Sequence, residues 1–354
     1  MSLTLVFNAG SSSLKYQVFD GEASIVSGNF EKLKENDVQE FSHFDLFEKV
    51  KETLRVLEIQ LEDIHFVGYR IVHGGEKFSH SIEITHEVID EIRDLSLLAP
   101  LHIRPAIEVL KASIGTFLNA KHIAVFDTAF HATLDEATFT YPIPRTFRDK
   151  YGIRKFGFHG MSHKYVAEQA ANQLGVELND LNAITCHLGA GSSITAIRGG
   201  QSVDTSMGFT PLAGLMMATR SGDIDPGILL HLLHHGFSVE ELSDLLNMES
   251  GLKAIAGTCD MREIRERAAT DPDAWLAREM YIQRILHYIG AYLALVRDVE
   301  VIVFTGGIGE NDGDLLLEIE KRLHHLGVGT NIKILVIPTN EELAIARECW
   351  KVGR

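Results

Sequence analysis

Val6-Phe7-Asn8-Ala9-Gly10-Ser11-Ser12-Ser13-Leu14 passes from an apolar run through a glycine-serine turn into the alternating run Lys15-Tyr16-Gln17-Val18-Phe19. About 180 residues later, Cys186-His187-Leu188-Gly189-Ala190-Gly191-Ser192-Ser193-Ile194 repeats the design, with Thr195-Ala196-Ile197 behind it. Each reads as strand, Ala-Gly-Ser-Ser turn, second strand. Two unrelated hairpins that each needed a glycine-serine turn would look the same. The repeated order of residue types nevertheless suggests two domains of common design.

Working outward, apolar runs of strand length recur at 3–7, 64–72, 122–126, 183–187, 301–304 and 332–337, several ending directly in Gly, Ser, Asn or Asp. Helical patterns alternate with them. Ser162 is expected to cap a helix over 162–174 closed by Gly175, and Ser238 with Glu241 forms a capping box opening 238–246. Residues 273–296 read as a long, largely buried helix, and 312–326 as one that stops at Gly327. Interleaved strands and helices predict an α/β protein with sheets covered on their faces. At 354 residues two domains are expected.

A formal charge of −16 argues against nucleic acid or an anionic membrane as partner, because both require a basic surface. Cys186, Cys259 and Cys349 are too few and too scattered for a disulfide framework or a CxxC metal site. The first residues lack a basic signal region, and no apolar stretch approaches the ~20 residues that span a bilayer. A cytoplasmic location is expected.

Three segments could cradle phosphate on backbone N–H groups: residues 8–13, residues 187–193, and Thr305-Gly306-Gly307-Ile308-Gly309-Glu310-Asn311. The third follows a strand and precedes a helix. Neither GxGxxG nor GxxxxGK[ST] is present, which removes the two commonest nucleotide motifs. Three such loops in one α/β chain point to a nucleotide held between the halves.

Charges stand in unusual places. Arg70 interrupts the apolar run Val67-Gly68-Tyr69-Arg70-Ile71-Val72, where its planar fork suits a carboxylate or phosphate, or a structural ion pair. Asp127 ends a buried strand, where open α/β sheets place their active groups, although it could also cap a turn. His159 lies between Phe158 and Gly160, as a site residue or as a satisfied structural one. Arg220 sits in the long turn-rich stretch before Pro226. Two arginines, an aspartate and a histidine beside phosphate-type loops suit phosphoryl transfer, which needs in-line positioning and charge neutralisation. His80, His86, His234, His235, His324 and His325 read as surface.

Together these segments resemble the acetate kinase family, within the superfamily of sugar kinases, heat-shock chaperone ATPases and actin. The likeness runs from Asn8 to Ala346 through NAGSSSLKY, GYRIVHGG, APLH, FDTAFH, FGFHG, HLGAGSS, DTSMGFTPLAGL, TRSGDIDPG, FTGGIGEN and PTNEELAIA, in that order. The resemblance implies a two-domain actin-like (ribonuclease H-like) fold with a duplicated core and an interdomain cleft. Residues 1–128 with 341–354 would form the first domain, and 129–340 the second, nucleotide-side domain.

It implies reversible transfer of the ATP γ-phosphoryl to acetate, giving acetyl phosphate and ADP, with magnesium (manganese as an alternative ion) and a homodimeric assembly. Asn8 and Glu341 would hold the metal, and Ser11, Ser13 and Lys15 would lie on the phosphate-side hairpin. Arg70 and Arg220 would clamp the carboxylate and the moving phosphoryl, His159 would stabilise its charge, and Asp127 would be the essential acid. ATP would meet His187, Leu188, Gly189, Ala190, Gly191, then Asp260, Met261, Arg262, then Gly307, Ile308, Gly309, Glu310 and Asn311. Val72, Leu101, Phe158 and Pro211 would enclose the methyl group.

Departures are Ala190 where the family has asparagine, Tyr69 for a histidine, APLHIRPA for APLHNP, Met261 between its charged neighbours, and a trimmed region at 27–42. Gly307-Ile308 leaves room for adenosine. A propionate or butyrate kinase, or a non-catalytic actin-like nucleotide-switched assembly protein, are the competing readings.

Overall fold

The computed structural model describes residues 3–9, 13–31, 43–97 and 100–354, and the chain divides into two compact units, 1–129 with 340–354 and 130–339. Most of the trimmed region and Ser11, together with the side chains of Ser13 and Leu101, lie outside this description.

The first unit holds β1 (Leu3–Ala9), β2 (Ser13–Asp20), β3 (Ala23–Glu31), β4 (Ile64–Ile71), β5 (Ile82–Glu83) and β6 (Lys121–Phe126), in the sheet order β3-β2-β1-β4-β6-β5. The second holds β7 (Ala183–Leu188), β8 (Ser192–Arg198), β9 (Gln201–Thr205), β10 (Val301–Thr305) and β11 (Lys333–Val336), in the order β11-β10-β7-β8-β9. Each sheet is an antiparallel three-strand meander whose first strand then pairs in parallel with a later strand, itself paired in parallel with the next. The repeated hairpin is therefore part of a repeated topology.

β1 is buried along its whole length because each of its faces is covered. Leu3, Leu5, Phe7 and Ala9 enter a core with Phe47, Val50 and Leu54 of helix His43–Val56 and with Ile103, Ile107 and Leu110 of helix Pro100–Thr116. The alternate residues meet helix Glu341–Val352. Trp350 Nε1 donates to Thr4 Oγ1 at 2.8 Å, and Asn8 Nδ2 donates to Glu341 Oε2 at 3.1 Å. Between these anchors Gly68 of β4 lies under the helix: a Cβ there would stand 2.6 Å from both Cys349 Sγ and Ile345 Cγ2.

In the second unit the alternation of β10 divides two cores. Ile302 and Phe304 join Tyr281, Ile285 and Ile289 of helix Pro272–Leu295, whereas Val301 and Val303 join Val166, Ala167 and Ala170 of helix Gly160–Leu174. The long helix is buried on that face alone: Trp275, Leu276 and Leu295 are exposed, so the expectation of a largely buried helix is too broad.

Two other expectations need correction. The helix expected to start at a Ser162 cap begins at Gly160, with His159 at the cap in the left-handed region (φ 56°). Ser162 is wholly buried and its hydroxyl meets His187 Nδ1 at 2.8 Å, so it is not available to cap. The glycine-rich segment after β10 is itself a short helix, Gly306–Asn311, and Asp312 then caps helix Gly313–Leu323. The capping box at Ser238 with Glu241 and the left-handed stops at Gly175 and Gly327 are present as expected. No helix among the described residues is long and apolar enough to cross a membrane.

Filling the space at Gly68 must displace the helix or the sheet. Gly68→Ala is expected to lower stability by about 1–3 kcal/mol, read as a lower urea midpoint. An unchanged midpoint contradicts this account of the seat.

Candidate active site

The first unit gathers four of the expected site residues. Arg70, near the end of β4, gives Asp127 two hydrogen bonds, from Nε at 3.0 Å and from Nη2 at 2.6 Å, both to Oδ2. Its Nη1 donates to Asn8 Oδ1 at 3.1 Å and lies 3.7 Å from Glu341 Oε2. Adjacent parallel strands bring Arg70 and Asp127 together: β4 pairs with β6, and Asp127 N donates to Ile71 O just past the strand end. Glu342 joins through Asn8 Nδ2 at 3.0 Å. Its place beside Glu341 in a helix's first turn is the sequence signal that points to it.

Burial pushes the Asp127 carboxyl up to about 6, with Arg70 pulling the other way. Burial also disfavours charge on Arg70, but Asp127 and Glu341 outweigh it and keep the guanidinium charged. Asp127 Oδ1 is buried with no hydrogen-bond partner among the described residues. An orphaned carboxylate oxygen beside Glu341 and Glu342 is a hard-oxygen donor set that fits a divalent cation. No cluster of three or more His, Cys, Asp or Glu able to enclose a metal exists among the described residues. A divalent cation held by one or two carboxylates completes its shell from phosphates and water. Val72 is buried two residues beyond Arg70, and Lys15 on β2 is exposed.

The second unit gathers another set. His159 packs tilted against His187, with 4.4 Å between ring centroids. A Cβ at Gly191 would stand 3.3 Å from His159 Nε2 and 3.6 Å from Arg220 Nη1, so two side-chain nitrogens converge where the HLGAGSS loop carries no side chain. Arg220 is largely buried, which works against its charge, and it makes no ion pair among the described residues. Its Nη1 donates to Pro211 O at 3.3 Å.

The Arg220 loop is fastened on both sides. Met217 N donates to Arg220 O, Leu252 N to Met217 O, and Ala218 N to Ala190 O. Gly251 (φ 66°) passes so close beneath the backbone of Met217 and Arg220 that a side chain would collide with it.

Loop 187–191 lies beside the short helix Gly306–Asn311. Gly306 (φ 80°) touches the Leu188 backbone, and a Cβ on Gly189 would be 3.9 Å from Gly307 N. Gly307 itself borders open space. Glu310 turns inward: Oε1 accepts from Gly306 N, Thr305 Oγ1 and Thr339 N, so its carboxylate organises the turn. Asn311 Nδ2 donates to Gly307 O. Asp260 caps helix Met261–Arg267 and pairs with Arg262 at 2.7 Å on the surface; Arg265 of this helix reaches Asp312 at 3.6 Å. Phe158 is buried.

The histidines expected at the surface are exposed there. Two further histidines, His131 and His163, are buried without any local signal of it in the chain. His131 bonds Ser202 Oγ and Phe158 O, and burial pulls its imidazole down to about 4. Tyr69, the departure from the family's histidine, is a core residue bonded to Ser113 and His122.

The sequence model of the acetokinase family matches residues 3–332. An acetate kinase of Carboxydothermus hydrogenoformans is 43% identical, covering 97% of each chain. Among solved structures, a propionate kinase from Francisella tularensis superposes with a TM-score of 0.93 at 39% identity, over 99% of this chain and 100% of that one. The Porphyromonas gingivalis acetate kinase gives 0.92 at 34% identity, with each chain covered in full.

Below about pH 6 Asp127 takes up a proton and no longer holds Arg70 as an ion pair. The value of kcat/KM is expected to fall as pH drops through about 6, since that ratio reports groups of the free enzyme. A profile flat from pH 7 to 5 contradicts the pairing.

Proposed function

Because the chain belongs to the acetokinase family, we propose that the two side-chain clusters divide the labour of its reaction, reversible transfer of the ATP γ-phosphoryl to acetate. Migration of a phosphoryl group spreads negative charge over its equatorial oxygens and needs neutralising donors more than a covalent nucleophile. In this reading Arg220 and His159 supply donors to that charge. Their convergence at Gly191 is the observation that carries the proposal. Arg70, held in orientation by Asp127 and Asn8, supplies the other guanidinium for the acetate carboxylate and the phosphoryl.

Asp127, Glu341 and Asn8 would hold magnesium, which when bound neutralises phosphate charge. The HLGAGSS loop and the turn 306–311 take the nucleotide phosphates, with Lys15 and the β1–β2 hairpin assisting. The open space at Gly307 leaves room for adenosine. Asp260 and Arg262, paired on the surface, are assigned to the nucleotide's outer edge.

Val72, Leu101, Phe158 and Pro211 are taken to limit the acid to a short chain. One methylene of substrate discriminates by only ~1–3 kcal/mol through apolar contacts, so propionate reacts as well, less efficiently. The buried, free thiols of Cys186 and Cys349 are consistent with a cytosolic setting.

The reading includes a homodimer. Helix Pro226–His234 has no buried residue, while Ile228, Leu230 and Leu233 are exposed, together with Phe237 and Val239 beyond it. Residues 226–239 carry no Asp, Glu, Lys or Arg in a chain of charge −16. A second copy therefore meets an apolar face there without like-charge repulsion.

With MgATP and a panel of acetate, propionate and butyrate, hydroxamate formation should be highest for acetate. Arg220→Ala should reduce it by at least about a hundredfold, the scale of losing one charge-stabilising donor. A preference for four carbons, or near-wild-type turnover in the variant, refutes the assignment. In light scattering, the protein should run at twice 39.3 kDa and Leu230→Glu at that monomer mass; a monomeric wild type rejects the dimer.

A further inference from the structure

His159 does not stand alone. Its Nδ1 lies 2.9 Å from Ser193 Oγ, and the same oxygen lies 2.7 Å from Nε2 of His163, one helical turn further along helix Gly160–Leu174. His163 Nδ1 in turn lies 2.8 Å from Thr185 Oγ1 on β7. His163, Ser193 and Thr185 are each wholly buried. They form a chain of four side chains, Thr185–His163–Ser193–His159, drawn from two paired strands and one helix start.

Proton counting gives the chain a direction. Burial holds the His163 imidazole well below its ordinary range, with His131 and His187 adding to the effect, so it is neutral and carries one N–H. Each hydroxyl also has one proton to donate. In one arrangement His159 Nδ1–H donates to Ser193, Ser193 to His163 Nε2, and His163 Nδ1–H to Thr185. The Thr185 proton then has no acceptor, since that hydroxyl has no other partner among the described residues. In the opposite arrangement Thr185 donates to His163 Nδ1, His163 Nε2–H to Ser193, and Ser193 to His159 Nδ1. Every buried donor is then matched, as buried hydroxyls in native proteins generally are.

We propose that Thr185, His163 and Ser193 are positioning residues that fix His159 in its Nε2–H tautomer. The nitrogen that borders Gly191 and neighbours Arg220 Nη1 is thereby a permanent donor. The tautomer matters because a lone pair on Nε2 would repel a phosphoryl oxygen, whereas an N–H there stabilises it. Only this last step rests on the phosphotransfer reading; the tautomer assignment rests on the buried chain alone. The left-handed backbone at His159 (φ 56°) belongs to the same arrangement, because it sets the ring onto Ser193 as the helix begins.

The test reads the imidazole directly. Protein labelled with 15N-histidine is examined by two-bond proton–nitrogen correlation, with His159 assigned by its disappearance in His159→Gln. The wild type should show one tautomer, with Nδ1 as the unprotonated, hydrogen-bond-accepting nitrogen. Ser193→Ala should shift both nitrogens toward averaged values and lower kcat about tenfold, with acetate KM within about twofold. Thr185→Val, which leaves Ser193 in place, should release the tautomer of His163 and through it that of His159.

A wild type with the proton on Nδ1 overturns the proposal, as does a folded Ser193→Ala or Thr185→Val in which the His159 nitrogens do not move. Absence of acetate phosphorylation by the wild type would defeat the functional reading and leave the tautomer result to be judged on the spectrum.

Discussion

The absence of a side chain at Gly68 allows helix Glu341–Val352 to lie against β1 and β4. With Ile345 and Cys349 seated there and Trp350 bonded to Thr4, the start of the helix falls at Asn8. Glu341 and Glu342 thus arrive beside Arg70 and Asp127, more than 200 residues earlier in the chain. A packing constraint in the sheet therefore determines a charge constellation at its end. Neither carboxylate could be held there by local structure, because the first turn of a helix fixes direction only after its other end is anchored.

That constellation is one of buried charges in mutual restraint. Arg70 is oriented by Asp127 and Asn8, and Asn8 by Glu341 and Glu342. Removing any partner leaves a desolvated group exposed to the others, which is costly in a low-dielectric setting. In the second unit order is obtained differently, through the buried His163 imidazole and the Ser193 and Thr185 hydroxyls under His159 and through backbone hydrogen bonds under Arg220. The first unit thus holds its site residues through a charged network, the second through a neutral one.

Much of this was legible in the chain. The repeated Ala-Gly-Ser-Ser turn revealed the duplicated sheet, because a turn that must expose backbone N–H groups tolerates few residue types. Arg70 and Asp127 stood out since charges are rare in apolar strands, and the order of motifs carried the family. His163 was hidden because an imidazole within a helical pattern looks like any polar residue until Ser193 and Thr185 are brought beneath it by strand pairing. Ser162 misled for a related reason: capping chemistry is local, and a tertiary partner at His187 overrode it. Residues 305–311 stood out as a phosphate-type glycine loop, and the helical turn within them was not legible, because it depends on Gly306 entering the left-handed region against Leu188.

The return of residues 341–352 to the first sheet also orders events during synthesis. Everything from 130 to 339 leaves the ribosome before the helix that covers β1 and β4, so the second unit has its full set of strands while the first still lacks one of its two coverings. Until then the uncovered side of β1, with Thr4, Val6 and Asn8, is wetted or shielded by other chains, and a nascent molecule has an apolar sheet face available for chaperones or for misassembly. The same topology that draws Glu341 to Asn8 makes completion of the first unit wait until the second has been synthesised.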